Sequence, residues 1–278
     1  VDCVSKMNTG AKYDSEAFQK SVGMNGVGTK AVNALSSYFK VQSVRDGKMK
    51  VAEFRQGQIF NDEKIEDNEK KNGTYIEFVP DDDPRIFGKY AYIDEYITKM
   101  IWHYSCLNRG LTLIYNGKKY YSKNGLKDLL SGNINDSDAL YPIIHMSADN
   151  FEFAFTHSDK VYTEEHYSFV NGQNTIHGGT HLAGFREALV KVLKDFYKKD
   201  YEPADIRQGL VAAISLRIEE PVFDSQTKTK LTSTNMKPDG SGTAVKTFIG
   251  DIVRKNLDDY LHINTETAEL ILQKIVRN

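Results

Sequence analysis

Residues 21–36 read Ser-Val-Gly-Met-Asn-Gly-Val-Gly-Thr-Lys-Ala-Val-Asn-Ala-Leu-Ser, a glycine cluster that runs directly into a helical pattern. Apolar residues recur at helical spacing from Thr29 to Phe39, which predicts an amphipathic helix over that range. Glycines let the backbone come close to an anion, and the start of a helix presents free N–H groups. The stretch therefore predicts a phosphate-binding loop that opens a helix.

On these residues alone, other interpretations of the glycine cluster compete with that one. A P-loop requires lysine and then serine or threonine after its last glycine, and Thr29-Lys30 stand in the reverse order. A dinucleotide-binding fingerprint would use Gly26 to Ala31 with Asp46 as the ribose acid, but a hairpin pattern follows where a βαβ unit is required. A glycine turn that packs closely against a neighbour and binds no ligand also stays open.

The composition is that of an ordinary globular protein. The 278 residues are 40% hydrophobic and 27% charged, and 36 basic against 38 acidic side chains give a net charge of −2. This balance excludes nucleic-acid binding through bulk positive charge. No apolar run approaches the roughly 20 residues of a bilayer span, so we expect no membrane association. Two unpatterned cysteines favour a reducing cytoplasm.

Periodicity predicts the elements on either side of the glycine loop. Hairpins are predicted at residues 39–54 and 111–121, and a single strand at 74–79. Long strands are predicted at 143–156, 162–170 and 210–218, and helices at 92–107, 179–197, 244–261 and 265–277. The strand at 210–218 is almost entirely apolar, so we expect it to be central and covered on both faces. The polar stretch 132–138 is the best linker candidate and divides the chain into domains 1–135 and 136–278.

Four blocks of sequence carry a family resemblance. They are Lys6-Met-Asn-Thr-Gly-Ala-Lys-Tyr13 with residues 21–36, Asn72-Gly-Thr74-Tyr-Ile-Glu-Phe, His177-Gly-Gly-Thr-His-Leu-Ala-Gly-Phe-Arg186, and Phe223-Asp-Ser-Gln-Thr-Lys-Thr-Lys-Leu231. In this order they resemble the ATPase and transducer regions of bacterial type II topoisomerase B subunits, which are GHKL ATPases. The resemblance implies an α/β (α+β) fold. A partial GHKL α/β sandwich would occupy 1–135, and a transducer domain of ribosomal protein S5 domain 2-like fold would occupy 136–278.

The same resemblance implies an ATP site. Its phosphate-binding residues would be Gly23, Met24, Asn25, Gly26, Val27, Gly28 and Thr29. Lys12 would belong to the closing lid, and Thr74 would lie near the adenine. Lys228 would reach from the transducer to the γ-phosphate with Gln226 beside it, so that hydrolysis breaks the contact and couples chemistry to domain rotation. The implied cofactors are ATP and Mg²⁺.

The sequence begins at Val1-Asp-Cys without an initiator methionine, as we expect of a piece of a longer protein. In the family, the glutamate that activates water, the asparagine that holds Mg²⁺ and the aspartate that reads adenine all precede the lid. We therefore expect this chain alone to lack the general base and the metal ligand, and not to hydrolyse ATP. Asn25 and Thr29-Lys30 favour the topoisomerase IV type over the gyrase type.

A rival site involves His177 and His181, whose spacing of four residues suits two metal ligands on one helix, with His166, Glu164 and Glu165 nearby in sequence. Gly178-Gly179 between them would start a helix and not continue one, and no glutamate completes a His-Glu-x-x-His motif. We therefore favour a turn and a helix start over a metal site. The lysines at the end of the same helix are interpreted as a solvated face, some of which would contact DNA in a strand-passage enzyme.

The resemblance implies a parent enzyme that passes one DNA duplex through another, with ATP-driven dimerisation of these domains as the entry gate. The implied partners are a second copy of the chain, an A-type subunit that carries the cleaving tyrosine, and double-stranded DNA. Two alternatives remain: another GHKL ATPase of the mismatch-repair or chaperone type, and a non-catalytic dimerisation or interaction module. Gln226-Thr-Lys228 together with Gly178-Gly-Thr-His argues against the first alternative.

Overall fold

The computed structural model describes residues 1–9, 20, 22–23 and 26–277, apart from the side chain at position 136. Contacts divide the chain into two compact units, Val1–Gln19 with Gly23–Ile93, and Lys20–Val22 with Asp94–Asn278. Helices and strands are present in both units, which confirms the α/β class predicted from the sequence. Residues 94–135 group with the second unit by contacts, and the domain boundary expected at 135–136 stays a prediction.

In its described residues, the first unit is an antiparallel sheet with two short helices. Its elements are α1 (Asp2–Ser5), α2 (Gly28–Ala34), β1 (Ser36–Arg45), β2 (Lys48–Arg55), β3 (Gln58–Asp62), β4 (Glu66–Asp67) and β5 (Gly73–Pro80). The strands lie in the order β3-β2-β1-β5, and β4 pairs with β2. The hairpin predicted at 39–54 is confirmed, with Phe39 opposite Phe54 and Val44 opposite Met49.

Helix α2 is shorter than the sequence pattern predicted. The prediction extended it to Phe39, but α2 ends at Ala34 and β1 begins at Ser36. Phe39 is fully buried in β1, between Phe54 of β2 and Phe78 of β5. Pairing on both sides of β1 satisfies more backbone groups than another helical turn would, so the sheet overrides the local helical spacing.

The second unit is a five-stranded sheet with helices on both faces and a separate hairpin. Its elements are α3 (Asp94–Leu107), β6 (Thr112–Tyr115), β7 (Lys118–Tyr121), α4 (Leu126–Asn133), a 3₁₀ turn (Asp136–Asp138), β8 (Ile144–Ala148), β9 (Phe151–His157), β10 (Glu164–Val170), β11 (Gln173–Asn174), α5 (Thr180–Tyr197), α6 (Pro203–Arg207), β12 (Leu210–Leu216), α7 (Val245–Ile263) and α8 (Thr265–Arg277). The strands lie in the order β11-β10-β12-β9-β8, and β10 and β12 form the parallel pair.

The sheet of the second unit is buried on both faces. One face carries Phe153 and packs on Phe185 and Leu189 of α5 and on the buried sides of α7 and α8. The other face carries Phe169 and packs on α4. Strand β12 is central and buried at every position but one, as its continuous apolar sequence predicted. No helix in the described part of the chain is both long enough and apolar enough to cross a bilayer.

One sequence prediction between residues 143 and 157 is wrong. The long strand predicted at 143–156 is a hairpin, in which β8 and β9 reverse direction at Asp149-Asn150. Asn150 has a φ of +64°, a backbone conformation that asparagine tolerates better than most residues. The stretch predicted as a linker contains the end of α4 and the 3₁₀ turn, and its role as a domain boundary stays a prediction.

Helix α3 lies where the pattern predicted it, but its buried face differs. The apolar stripe placed Tyr96, Met100 and Tyr104 on the inner side, and they are 66%, 60% and 44% exposed. The buried face instead carries His103 and Cys106. A small side chain at Cys106 lets α3 approach α4 closely, and the His103 ring packs edge-on in the interior, so packing fit decides the orientation and not hydropathy alone.

Candidate functional site

A glycine turn, residues 26–29, opens helix α2. Gly28 is the first helical residue, and Val27 before it provides no side-chain cap. Among the described residues, none accepts a hydrogen bond from the N–H groups of Gly28, Thr29 or Lys30. Free N–H groups at the start of a helix favour an anion. The turn is therefore chemically suited to bind phosphate oxygens.

Gly26 occupies a position in this turn that no other residue fits. Its φ is +56°, and a Cβ atom there would lie 2.7 Å from the carbonyl oxygen of Thr9 and 3.0 Å from Nζ of Lys30. Lys30 is only 8% exposed, and its ammonium donates a hydrogen bond of 2.8 Å to the Thr9 carbonyl. The Lys30 hydrogen bond and the absence of a side chain at Gly26 thus allow Thr9 to lie against the glycine turn.

Sequence reasoning missed this role of Lys30, because it used the residue only as an argument against a P-loop. A signal was available, since side chains in the first turn of a helix point back toward its N-terminus. A lysine at the third helical position therefore reaches over the preceding turn.

Other residues expected at the nucleotide site are distributed over the first unit. Thr74 lies exposed on β5 opposite Ser43 of β1. No hydrogen bond joins Thr74 to the described part of the glycine turn. Gly23 is described, and a Cβ atom added there would contact nothing within 4 Å. The other three expected residues, Lys12, Met24 and Asn25, lie outside the described residues.

The expected γ-phosphate ligand lies in the second unit, on a segment between β12 and α7 that we call the lysine loop, residues 222–233. Lys228 has a φ of +58°, and its N–H donates to the carbonyl of Ser225 at 3.0 Å, which closes a tight turn. Gln226 is exposed in this turn, and the Lys228 side chain is half-buried. In the part of the chain that the structure describes, no carboxylate pairs with the Lys228 ammonium, so this cation is available to an anion.

The histidines of the rival site have different surroundings. His177 is exposed, whereas His181 is fully buried and bonds through Nε2 to Oγ1 of Thr175 at 3.1 Å. Burial lowers the pKa of His181 to about 3, so the ring is neutral at physiological pH. No group of three His, Cys, Asp or Glu side chains in the described ranges is arranged to hold a metal ion.

A cluster of charged side chains around Glu164 was not predicted. The carboxylate of this β10 residue accepts bonds from Nε of Arg186 at 3.0 Å and from Nε2 of His166 at 2.8 Å, and Nε of Arg207 lies 3.4 Å away. Burial alone would raise the pKa of Glu164, but the bonds from Arg186 and His166 outweigh it and hold that pKa below its ordinary value. The cluster ties β10 to α5 and α6, and Arg186 and Arg207 are too far from Glu164 in sequence for a local pattern to reveal them.

Comparison with known proteins supplies independent information. The family model described as DNA gyrase B matches residues 119–278. The chain is 46% identical over its whole length to the B subunit of DNA topoisomerase 4 from Borreliella burgdorferi, of which it covers 44%. It is 32% identical over 95% of its length to a DNA gyrase B subunit from Cytophaga hutchinsonii, of which it covers 58%. The chain thus spans about half the length of these curated relatives.

A solved structure agrees with the fold. The chain resembles the 43K ATPase domain of Thermus thermophilus gyrase B, crystallised with an aminocoumarin, at a TM-score of 0.70 and 27% sequence identity. The similarity covers 91% of this chain and 71% of that domain. The glycine turn and the lysine loop thus occur in a chain whose fold is similar to that of a gyrase B ATPase domain.

Proposed function

This chain belongs to the DNA gyrase B family, and from that premise we propose that it forms part of the ATP-operated DNA gate of a type II topoisomerase B subunit. The observation that carries the proposal is the uncapped start of α2, where the N–H groups of Gly28, Thr29 and Lys30 have no acceptor among the described residues. The parent protein would couple ATP binding and hydrolysis to the passage of one duplex through another. Membership of this family excludes the mismatch-repair and chaperone alternatives.

The residues of the glycine turn fit a triphosphate. A phosphate would be bound by backbone N–H groups, because those of Gly28, Thr29 and Lys30 have no acceptor among the described residues. The proposed cradle consists of Gly23, Met24, Asn25, Gly26, Val27, Gly28 and Thr29. Lys12 would join from the lid and Thr74 from the adenine side.

Lys228 is proposed as the γ-phosphate ligand, with Gln226 beside it in the same turn. An ammonium group without a described carboxylate partner can bind an anion without first breaking an ion pair. A contact that exists only while the γ-phosphate is attached would report the state of the nucleotide to the second unit.

Mg²⁺ is proposed as the ion that accompanies ATP in the parent protein. The described residues contain no group of three His, Cys, Asp or Glu side chains arranged to hold a metal ion, and we assign no ligand of this chain to Mg²⁺. That this chain alone does not hydrolyse ATP stays a prediction, which a steady-state phosphate-release assay tests.

The proposed partners are a second copy of the chain at the gate, an A-type subunit and double-stranded DNA, in the cytoplasm. The net charge of −2 requires that any contact with DNA be local. The basic end of α5, with Lys191, Lys198 and Lys199, supplies one such surface. The 46% identity to a topoisomerase 4 B subunit, against 32% to a gyrase B subunit, supports the topoisomerase IV type.

Nucleotide binding is tested by thermal unfolding of the 278-residue chain with Mg²⁺ and a non-hydrolysable ATP analogue. A ligand at 100 times its Kd stabilises the folded state by about 2.7 kcal/mol. Lys228→Ala removes a charge-assisted bond and weakens binding by about tenfold or more, so at the same concentration we expect about 1.4 kcal/mol. Lys230→Ala, an exposed lysine of the same loop, is the matched control and keeps the full effect.

Two results would contradict the proposal. Absence of stabilisation at any analogue concentration would mean that this chain does not bind nucleotide and would favour the interaction-module alternative. Equal stabilisation of the parent chain and Lys228→Ala would remove Lys228 from the site.

A further inference from the structure

The lysine loop is attached to the first residues of α5 by its main chain. Leu231 donates its N–H to the carbonyl of Gly178 at 3.0 Å, and its own carbonyl accepts from the N–H of Thr180 at 3.1 Å. A further bond of 2.9 Å runs from the His177 N–H to the Thr229 carbonyl. The loop therefore runs beside residues 177–180 as a short parallel pairing centred on Gly179 and Leu231.

Gly179 makes this attachment possible. A Cβ atom at this position would lie 2.2 Å from the carbonyl oxygen and 2.6 Å from the nitrogen of Leu231. The φ of Gly179 is +133°, a value that residues with a side chain rarely adopt. Leu231 is fully buried in the core, so the loop cannot retreat without removing this side chain from its packing.

Thr180 adds a side-chain bond to the same attachment. Its hydroxyl donates to the carbonyl of Ser233 at 2.7 Å. At the neck of the loop, the N–H of Thr232 donates to the carbonyl of Val222 at 2.9 Å. The two ends of the loop are thus fixed, and the turn that carries Lys228 projects from a rigid base.

We propose that Gly179 and Thr180 are positioning residues. They hold the lysine loop, and with it Lys228, in the position from which Lys228 would contact the γ-phosphate. The inference rests on the proposed function for its connection to nucleotide, but the attachment itself does not. It also assigns a structural purpose to the Gly-Gly-Thr stretch, which the sequence marked as a helix start and as part of the family resemblance. A contact at Lys228 would reach α5 through the hydrogen bond from the N–H of Thr180, the first residue of that helix, to the carbonyl of Leu231.

The test compares four variants of the 278-residue chain. Gly179→Ala forces the loop away by about an ångström, the separation needed to restore an ordinary contact. Thr180→Val keeps the shape of the side chain and removes the hydroxyl, whereas Thr180→Ser keeps the hydroxyl. Gly250→Ala is the matched control, because an added Cβ atom at this α7 residue meets nothing within 4 Å.

The first readout is amide hydrogen exchange over residues 222–233 without nucleotide. We expect exchange at least about tenfold faster in Gly179→Ala, a smaller increase in Thr180→Val, and rates like the parent chain in Thr180→Ser and Gly250→Ala. Unchanged exchange in Gly179→Ala and Thr180→Val overturns the proposal. If Gly179→Ala does not fold, Thr180→Val against Thr180→Ser decides the question.

The second readout is the ratio of the Kd for Mg²⁺-ADP to that for the non-hydrolysable Mg²⁺-ATP analogue. The ratio measured for Lys228→Ala gives the lower limit, because this variant lacks the proposed γ-phosphate ligand. Displacing a positioned group by about an ångström can weaken its effect about 100-fold. We therefore expect the Kd ratio of Gly179→Ala to approach that of Lys228→Ala. If Lys228→Ala lowers the Kd ratio, then faster hydrogen exchange in Gly179→Ala with an unchanged Kd ratio overturns the positioning role. If Lys228→Ala leaves the ratio unchanged, or the chain binds no nucleotide, the proposed function fails, and the exchange result alone decides whether the attachment is as described.

Discussion

Replacing Lys274 of α8 by methionine is expected to change how the stability of the second unit depends on pH. Lys274 is only 5% exposed, and its ammonium donates a hydrogen bond of 2.8 Å to the carbonyl of Asp205. Burial and the nearby Arg277 lower its pKa from 10.5 to about 8, against a partial opposing effect of Asp205 and Asp159. The folded state therefore holds the proton of Lys274 less tightly than the unfolded chain does.

The size of the effect follows from that difference. One pKa unit corresponds to about 1.36 kcal/mol, so the charged form of Lys274 costs the folded state about 3 kcal/mol at pH 7. Between pH 8 and 10.5 the unfolded chain binds more protons than the folded one, so stability rises with pH in that window. Lys274→Met has no such titration. Relative to the variant, the parent chain should gain about 2 kcal/mol between pH 7 and pH 9.5.

Urea unfolding followed by tryptophan fluorescence measures this gain. Trp102 is the chain's one tryptophan and packs against a buried cluster of the second unit, the unit that contains Lys274. Lys255→Met, at an exposed position of α7, is the matched control and should differ from the parent by the same amount at both pH values. An equal difference between Lys274→Met and the parent at pH 7 and pH 9.5 would refute the reasoning, because the ammonium would then carry no burial penalty.

Two further predictions concern the core and the charged cluster of the second unit. Phe153→Ala removes a fully buried ring and should destabilise the unit by about 3–5 kcal/mol, whereas Tyr162→Ala at an 89% exposed position should change it by less than about 0.5 kcal/mol, both measured by urea unfolding. Glu164→Gln leaves the charges of Arg186 and Arg207 without their carboxylate and, because the cluster is partly exposed, should cost about 2 kcal/mol at pH 7. Because the folded pKa of Glu164 is lowered, its contribution is lost as pH falls below 4.5, and the two chains should then converge; a difference that persists at low pH would show that the loss is steric.

Much of the fold could be predicted from the sequence because local patterns coincide with tertiary packing. The apolar stripe of α5 is the face that it buries, and the continuous apolar run of β12 corresponds to a strand covered on both sides. The hairpin at residues 39–54 follows from its Asp46-Gly47 turn. In each case one residue pattern is sufficient, since no distant partner changes the outcome.

The errors occur where a distant partner decides. Residues 36–39 have helical spacing but join β1, because β2 and β5 offer hydrogen bonds on both sides. In α3, His103 joins Cys106 on the buried face in place of the predicted tyrosines and Met100, because its ring packs edge-on against Phe169 of β10. Hydropathy alone contains no information about that fit.

The candidate site divides in the same way. Glycine spacing before α2 was enough to predict a turn that opens a helix, since this geometry is local. The requirement at Gly179 is visible only when residue 231 is placed beside it, 52 positions further along the chain. Lys30 is an intermediate case. Its partner Thr9 is not visible in the local pattern, but helical side chains point toward the N-terminus, which indicates that Lys30 reaches over the preceding turn.

The position of β12 between β9 and β10 has a consequence for synthesis on the ribosome. Both neighbours are made first, and about 46 residues separate the end of β10 at Val170 from the end of β12 at Leu216. At roughly 5–20 residues per second, the nascent chain presents two unpaired strand edges for about 2–9 s before the strand that joins them is complete. During that interval Phe151, Phe153 and Phe155 of β9 also lack α7 and α8, so the nascent chain exposes unpaired strand edges and core phenylalanines together.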